Sequence, residues 1–384
     1  MNIVEKFFDN NRKKVEKGQK LHWLASTFEA FESFSFVSNK TANNKGAHFR
    51  DGIDMKRAMI VVVFALIPAL LFGMYNVGYQ HFKAISELAQ TSFWTIFWYG
   101  FLRVLPMIIV SYVVGLAIEF TFAQIRAEEV NEGYLVTGLL IPMICPPTIP
   151  LWQLGLAVIF ATIIGKEVFG GTGMNFMNPA LVARAFLFFA YPSQMSGDLI
   201  WIYSGADSIS GATPLADMAM KNSVPNASVC DMITGFIPGC VGETSFIAIV
   251  FGAFLLLLTG IASWRIMLSI FVGGGIMGLI FNAIGANEYM QLPFYYHYIM
   301  GGFAFGAVFM ATDPVTSSQT NKGKFIYGLL IGILAVLIRV VNPAYPEGMM
   351  LAILLMNVFA PLIDYYVIDA NVKRRKKRIL TIKK

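Results

Sequence analysis

The chain has 384 residues, of which 56% are hydrophobic and only 14% charged, with a mean hydropathy of +0.62. Soluble domains carry roughly 25% charged residues, so the composition excludes an ordinary soluble domain and indicates a polytopic membrane protein. The net charge is +6, but the basic residues gather at the termini, which describes topology and calls for no nucleic-acid partner.

Residues 1–56 are polar and basic. They lack the apolar core and small-residue cleavage site of a signal peptide. Within them, Leu21-His22-Trp23-Leu24, Phe28, Phe31 and Phe34 put aromatic rings at helical spacing, with Glu29 and Glu32 on another face. That pattern predicts an amphipathic helix, lying on a membrane surface, on a partner protein or on the chain's own loops.

Ten hydrophobic segments follow. The first five are 57–75, 102–123, 134–146, 153–168 and 179–191; the second five are 244–260, 264–284, 296–312, 325–341 and 348–368. Crossing about 30 Å of hydrocarbon takes roughly 20 apolar residues in a helix. Two segments are short and run into helix breakers, at Cys145-Pro146-Pro147 and at the glycine-rich turn after Lys166. Lysine and arginine collect on the cytoplasmic side of membranes. Met1–Arg57 holds eleven and the tail from Lys373 eight, while Arg126, Lys166, Arg265, Lys322 and Lys324 fall in or at the edges of the even-numbered gaps, taken as cytoplasmic loops. On a ten-span arrangement this puts 24 of the 29 basic residues on one side, with both termini cytoplasmic.

The expected organisation is therefore a cytoplasmic extension (1–56), a first five-span repeat (57–191) and an outer-face connection (192–243). A second five-span repeat (244–368) and a basic cytoplasmic tail (369–384) complete it. An odd number of spans per half makes a related second half insert upside down, as in many transporters. Pro146-Pro147-Thr148 and Asp313-Pro314-Val315 follow the third and eighth segments, and Asn178-Pro179-Ala180 and Asn342-Pro343-Ala344 precede the fifth and tenth. The fold expected is all-α, with about ten transmembrane helices as two inverted five-helix repeats containing broken helices. Breaks at membrane depth free backbone groups that protein, water or ligand must satisfy.

Several residues could carry chemistry. Gly170-Gly171-Thr172-Gly173-Met174-Asn175-Phe176-Met177-Asn178-Pro179 follows no Rossmann strand and matches no Walker pattern. Asn175 and Asn178 can read the polar edge of an isoalloxazine ring, or cap a purely structural helix break. Glu119, Asp364, Arg184 and Arg339 are charges inside spans, and Asp313 stands at a broken end. Such charges are costly and mark ion paths, proton relays or internal pairs. Gly115 gives close helix packing or room for a flat ring. Cys145, Cys230 and Cys240 cannot supply the four thiolates of an ordinary iron–sulfur cluster. The four histidines are scattered, so no self-contained metal site is expected. Cys230 and Cys240 could pair only if exposed to an oxidising compartment. In the outer connection, Asp207-Ser208-Ile209-Ser210-Gly211-Ala212-Thr213-Pro214 presents the Thr213 hydroxyl among small residues. Taken alone, it reads as a surface turn.

Longer runs carry a resemblance. They include His48-Phe49-Arg50-Asp51, Val130-Asn131-Glu132-Gly133, Lys166 to Gly173, Ala183 to Phe189 and Arg339 to Gly348. Together with Asp207-x-x-Ser210-Gly211-Ala212-Thr213 they resemble the NqrB component of the sodium-translocating NADH:quinone oxidoreductase, and more distantly the RnfD component of the Rnf electron-transport complex. The basic extension ending in Asp51-Gly52-Ile53-Asp54-Met55-Lys56-Arg57 looks like the sodium-pump component. The resemblance implies that a flavin transferase esterifies FMN through its phosphate to Thr213, with Asp207, Ser210, Gly211 and Ala212 as the signal. It also implies a noncovalent riboflavin near Asn175, Asn178 and Asp313, and a quinone near Gly115. In this chain Leu116 stands where the family often has a second glycine. Glu119 and Asp364 are the candidates for a sodium path. The implied setting is a six-subunit complex of the bacterial inner membrane, with the NADH site on a different polypeptide, passing electrons from FMN to riboflavin to quinone. The competing expectations are an Rnf component fed by ferredoxin, and a non-redox channel or transporter on the same inverted repeat.

Overall fold

The computed structural model describes Phe28 and residues 55–126, 133–203, 211–221, 227–342 and 347–382. The predicted amphipathic helix, apart from Phe28, lies outside these residues, as do Asp207 and Ser210. Among the described residues every regular element is helical. The first half contains α1 (Met55–Ala84), α2 (Phe93–Arg126), α3 (Tyr134–Met143), α4 (Leu151–Gly165) and α5 (Pro179–Ala190). Two short helices, α6 (Pro214–Lys221) and α7 (Val229–Thr234), lie in the connection. The second half contains α8 (Phe246–Leu258), α9 (Trp264–Ile284), α10 (Asn321–Val341) and α11 (Met349–Ile382).

Among the described residues, six helices are long and apolar enough to cross a membrane: α1, α2, α4 with its continuation to Phe169, α9, α10 and α11. Three shorter apolar helices, α3, α5 and α8, accompany them. The segment predicted at 296–312 is not one helix. It consists of turns at Tyr296–Ile299 and Phe303–Phe305, followed by a π-helical stretch at Gly306–Met310. Three helices run well past their predicted limits. Helix α1 runs on to Ala84, α2 starts at Phe93 through Trp94, Trp98 and Tyr99, and α11 continues through the basic tail. Lysine and arginine are good helix formers, so loss of hydrophobicity ends a span without ending its helix.

Among the described residues, the main core is an apolar cluster shared by both halves, with a small second cluster of Ile200, Trp201 and Cys240. Helix α1 packs against α2, α3 and α8, so it joins the halves, and α5 touches α11. The tightest pairing is α9 with α10. A Cβ at Gly332 would strike the Ile270 carbonyl, and one at Gly273 would strike that of Leu329. Small residues let helix backbones approach in a membrane, where van der Waals packing replaces the hydrophobic effect as the cause of association.

Candidate functional site

The glycine turn builds one wall of a cleft. Gly170, Gly171 and Gly173 adopt φ of +117°, +90° and +89°, a region that costs glycine little and other residues much. The turn ends where the Asn178 side chain accepts the Ala180 N–H at 3.0 Å, capping α5 with Pro179 in its first turn. Asn175 donates to the Met177 carbonyl at 3.0 Å. These bonds leave the Asn175 carbonyl oxygen and the Asn178 amide N–H groups available to a ligand.

The opposite wall comes from the second half. Asp313 accepts from the Val315 N–H at 3.2 Å and the Thr316 hydroxyl at 2.9 Å, forming a tight turn after the π-helical stretch. Burial raises the Asp313 carboxyl above its ordinary pKa, while those two hydrogen bonds lower it. Between the walls lies a cleft with a cavity volume of about 120 Å³, below the roughly 300–1,000 Å³ usual for small-molecule sites. Asn175, Asn178 and Asp313 all line it, joined by Thr137, Lys166, Thr172 and Thr312. Met59, Val62, Leu256 and Phe309 give it apolar faces. In its chemistry, though not in its volume as it stands, this lining suits a flat heterocycle with a polar edge.

Beneath the cleft lies a buried charge pair. Lys166, counted from the sequence as a cytoplasmic-loop residue, is buried and forms an ion pair with Glu119 of α2. Its neighbour Glu167 pairs with Arg126 at 2.9 Å. Glu119 is thus engaged by a cation that joins α2 to the glycine turn. Asp364 also has a defined structural contact. It accepts from the Ser318 hydroxyl at 2.7 Å and from the Gln319 and Thr320 N–H groups at 2.7 and 3.0 Å, fastening α11 to the start of α10. Gly115 does not line the cleft. A Cβ there would collide with the Tyr134 ring, so its missing side chain makes room for that tyrosine.

A second buried network spans the halves. Arg184 of α5 donates to Glu243 at 2.9 Å, and also to Glu347 and to the Ile144 carbonyl at the end of α3. Arg339 of α10 donates to the His297 and Met300 carbonyls at 2.7 and 3.1 Å, and to the Glu347 carbonyl at 3.0 Å. Each arginine therefore satisfies carbonyls released where a helical segment breaks. Cys240 Sγ and the Glu243 and Glu347 carboxylates lie within 4.8 Å of one another. That spacing would suit a cation, and the Arg184 guanidinium supplies one. Cys230 is exposed on α7 and Cys240 is buried beside Arg184; both are free thiols, so the considered pairing is absent.

In the connection between the halves, Thr213 stands immediately before α6, half-buried. Its side-chain oxygen accepts from the Ala216 N–H at 3.2 Å and its carbonyl from the Asp217 N–H at 2.9 Å. It is the N-cap of an eight-residue helix that opens on Pro214.

Residues 42–373 match the model of the NQR2, RnfD, RnfE family. The chain belongs to this family. Among its relatives are the B subunits of the Na(+)-translocating NADH-quinone reductases of Chromohalobacter salexigens and Ectopseudomonas mendocina. They are 48% and 47% identical to it, with 98% of this chain covered in each case and 96% and 99% of the relatives. The protein of the same name from Pseudomonas aeruginosa is 45% identical, over 98% of this chain and 99% of its own. For this family member the sequence singled out Asn175, Asn178 and Asp313. It missed Lys166, Thr137 and Thr172 in the same cleft, and it did not anticipate that Arg184 and Arg339 support the helix breaks. A lysine directly after an apolar span, next to a glutamate and a glycine turn, was the available signal for Lys166.

Proposed function

We propose that this chain is the membrane-embedded NqrB component of a sodium-translocating NADH:quinone oxidoreductase, carrying covalent FMN on Thr213 and a noncovalent riboflavin in the cleft between its halves. The observation that carries the reading is the meeting of Asn175, Asn178 and Asp313, from opposite halves, around one partly apolar cleft. When bound, the flavins supply the electron transfer to quinone; the protein supplies position and electrostatics. Asn175 and Asn178 are disposed to hydrogen-bond a flavin's polar edge, while Phe309, Leu256 and Met59 shield its ring. At Thr213, the N-terminus of α6 favours the negative charge that a phosphoester brings. The maturation partner is a flavin transferase, and the NADH site belongs to a different member of a six-subunit assembly.

The organisation proposed is ten membrane segments as two inverted five-segment repeats, bounded at 57–191 and 244–368, with the 192–243 connection on the outer face of the bacterial inner membrane and both termini cytoplasmic. The broken third and eighth segments support it, each having a buried arginine on its freed carbonyls. Glu119 and Asp364 remain the proposed contributors to a sodium path, through changes in the Lys166 pair and in the α10–α11 junction. Gly115 is proposed near quinone through its effect on Tyr134.

Two measurements test the assignment. Quinone reduction by the purified complex should require sodium and take electrons from NADH; a sodium-independent reaction fed by ferredoxin would favour the Rnf reading. At the cleft, Asn178→Asp retains the cap acceptor but loses the amide donor. It should keep thermal stability and lose bound riboflavin, measured by flavin extraction, whereas Asn178→Ala should also lose about 1 kcal/mol of helix capping. Full riboflavin content in both variants would remove Asn178 from the site.

A further inference from the structure

The start of α10 and the middle of α11 leave a groove of about 370 Å³ that none of the chemistry above uses. Its inner part is apolar, with Ile326 of α10 facing Ile363 and Val367 of α11. Its mouth carries Lys322 and Arg374, with Asn371 beside them. Helix α10 enters the apolar layer at this end and α11 leaves it here, so the basic groups and the aliphatic floor lie at successive depths.

Neighbouring side chains mark the level of a membrane interface. The exposed Trp264 ring packs edge-on against Phe325 at 5.9 Å, one residue from Ile326, and the Arg265 guanidinium lies 5.2 Å from the Trp264 ring. Tyr366, also exposed, lines the groove. Tryptophan, tyrosine and basic residues concentrate where hydrocarbon meets headgroups. The nearby carboxylates do not oppose an anion strongly. Asp364 is taken up by Ser318, Gln319 and Thr320, and Asp369 by Lys373 at 2.7 Å. Lys322 and Arg374 have no ion-pair partner among the described residues. The six consecutive basic residues Lys373–Arg378 add to the positive field. Basic pockets between transmembrane helices recognise anionic headgroups in this way.

We propose that this groove binds an anionic phospholipid, its phosphate between Lys322 and Arg374 and an acyl chain along Ile326 and Ile363. The test uses the full-length protein purified with its co-expressed partner proteins and reconstituted with a photoactivatable phosphatidylglycerol or the matching phosphatidylcholine. Peptide mapping after irradiation should place the anionic probe on the facing segments of α10 and α11. Its excess over the choline probe should be about fivefold for each basic residue. The double variant Lys322→Gln, Arg374→Gln should reduce that excess to parity. Ile363→Trp, which fills the groove and keeps both charges, should abolish labelling by either probe. Labelling by the lipid should survive excess inorganic phosphate. Equal labelling by the two probes would overturn the proposal. So would loss of labelling to free phosphate, or cross-linking of the groove to a partner protein in place of lipid.

Discussion

Arg184→Met should lower the stability of the assembled protein by about 3–5 kcal/mol, the usual cost of breaking a buried ion pair by removing one partner. The side chain is buried, and its guanidinium holds Glu243, Glu347 and the freed carbonyl of Ile144. Methionine fills much of the volume but leaves two carboxylates without this cation and one carbonyl without this donor. A domain's total stability is about 5–15 kcal/mol, so much of it is lost. The expected result is a sharply reduced yield of protein in the membrane, and early melting of what remains after solubilisation. Arg184→Lys keeps the charge but not the planar fork that reaches several acceptors, and should fall between. Normal yield and melting of Arg184→Met would show that the network does not hold the halves together.

The second large effect is chemical. Thr213→Val should abolish covalent flavin fluorescence of the denatured protein on a gel after co-expression with a flavin transferase, and with it quinone reduction by the complex. The side-chain oxygen lost also caps α6 through the Ala216 N–H, so about 1 kcal/mol of local helix stability goes with it. Thr213→Ser keeps both cap and nucleophile, which separates the two contributions. Fluorescence should return in Thr213→Ser. Retained fluorescence in Thr213→Val would place the link on another residue.

The membrane class and the positions of the apolar segments were readable from hydropathy, because hydrocarbon thickness sets segment length directly. Their ends were not. The aromatic run Phe93-Trp94-Thr95-Ile96-Phe97-Trp98-Tyr99 continues α2 outward, and the basic residues after Asp369 continue α11. Helical hydrogen bonding does not stop where hydrophobicity does. The eighth segment is apolar yet broken, since Gly301 and Gly302 interrupt it and the Arg339 side chain bonds the carbonyls this frees.

Charges inside spans were visible as costly residues, but their partners were not. Glu119 meets Lys166 across 47 positions of chain, and Arg184 meets Glu347 across 163. No periodicity encodes such contacts. Gly115 illustrates the opposite difficulty: a missing side chain is legible, whereas the Tyr134 ring that occupies its space is not. Asn178 was legible as a cap because capping is local. Its convergence with Asp313 on one cleft depends on how the two halves pack.

The central claim concerns Thr213, and mass spectrometry of the peptide containing it tests that claim most directly. The peptide from protein co-expressed with its flavin transferase should carry the mass of one FMN, joined with loss of water, with fragmentation placing the added mass on Thr213. An unmodified peptide under those conditions, or the added mass on another residue, would contradict it.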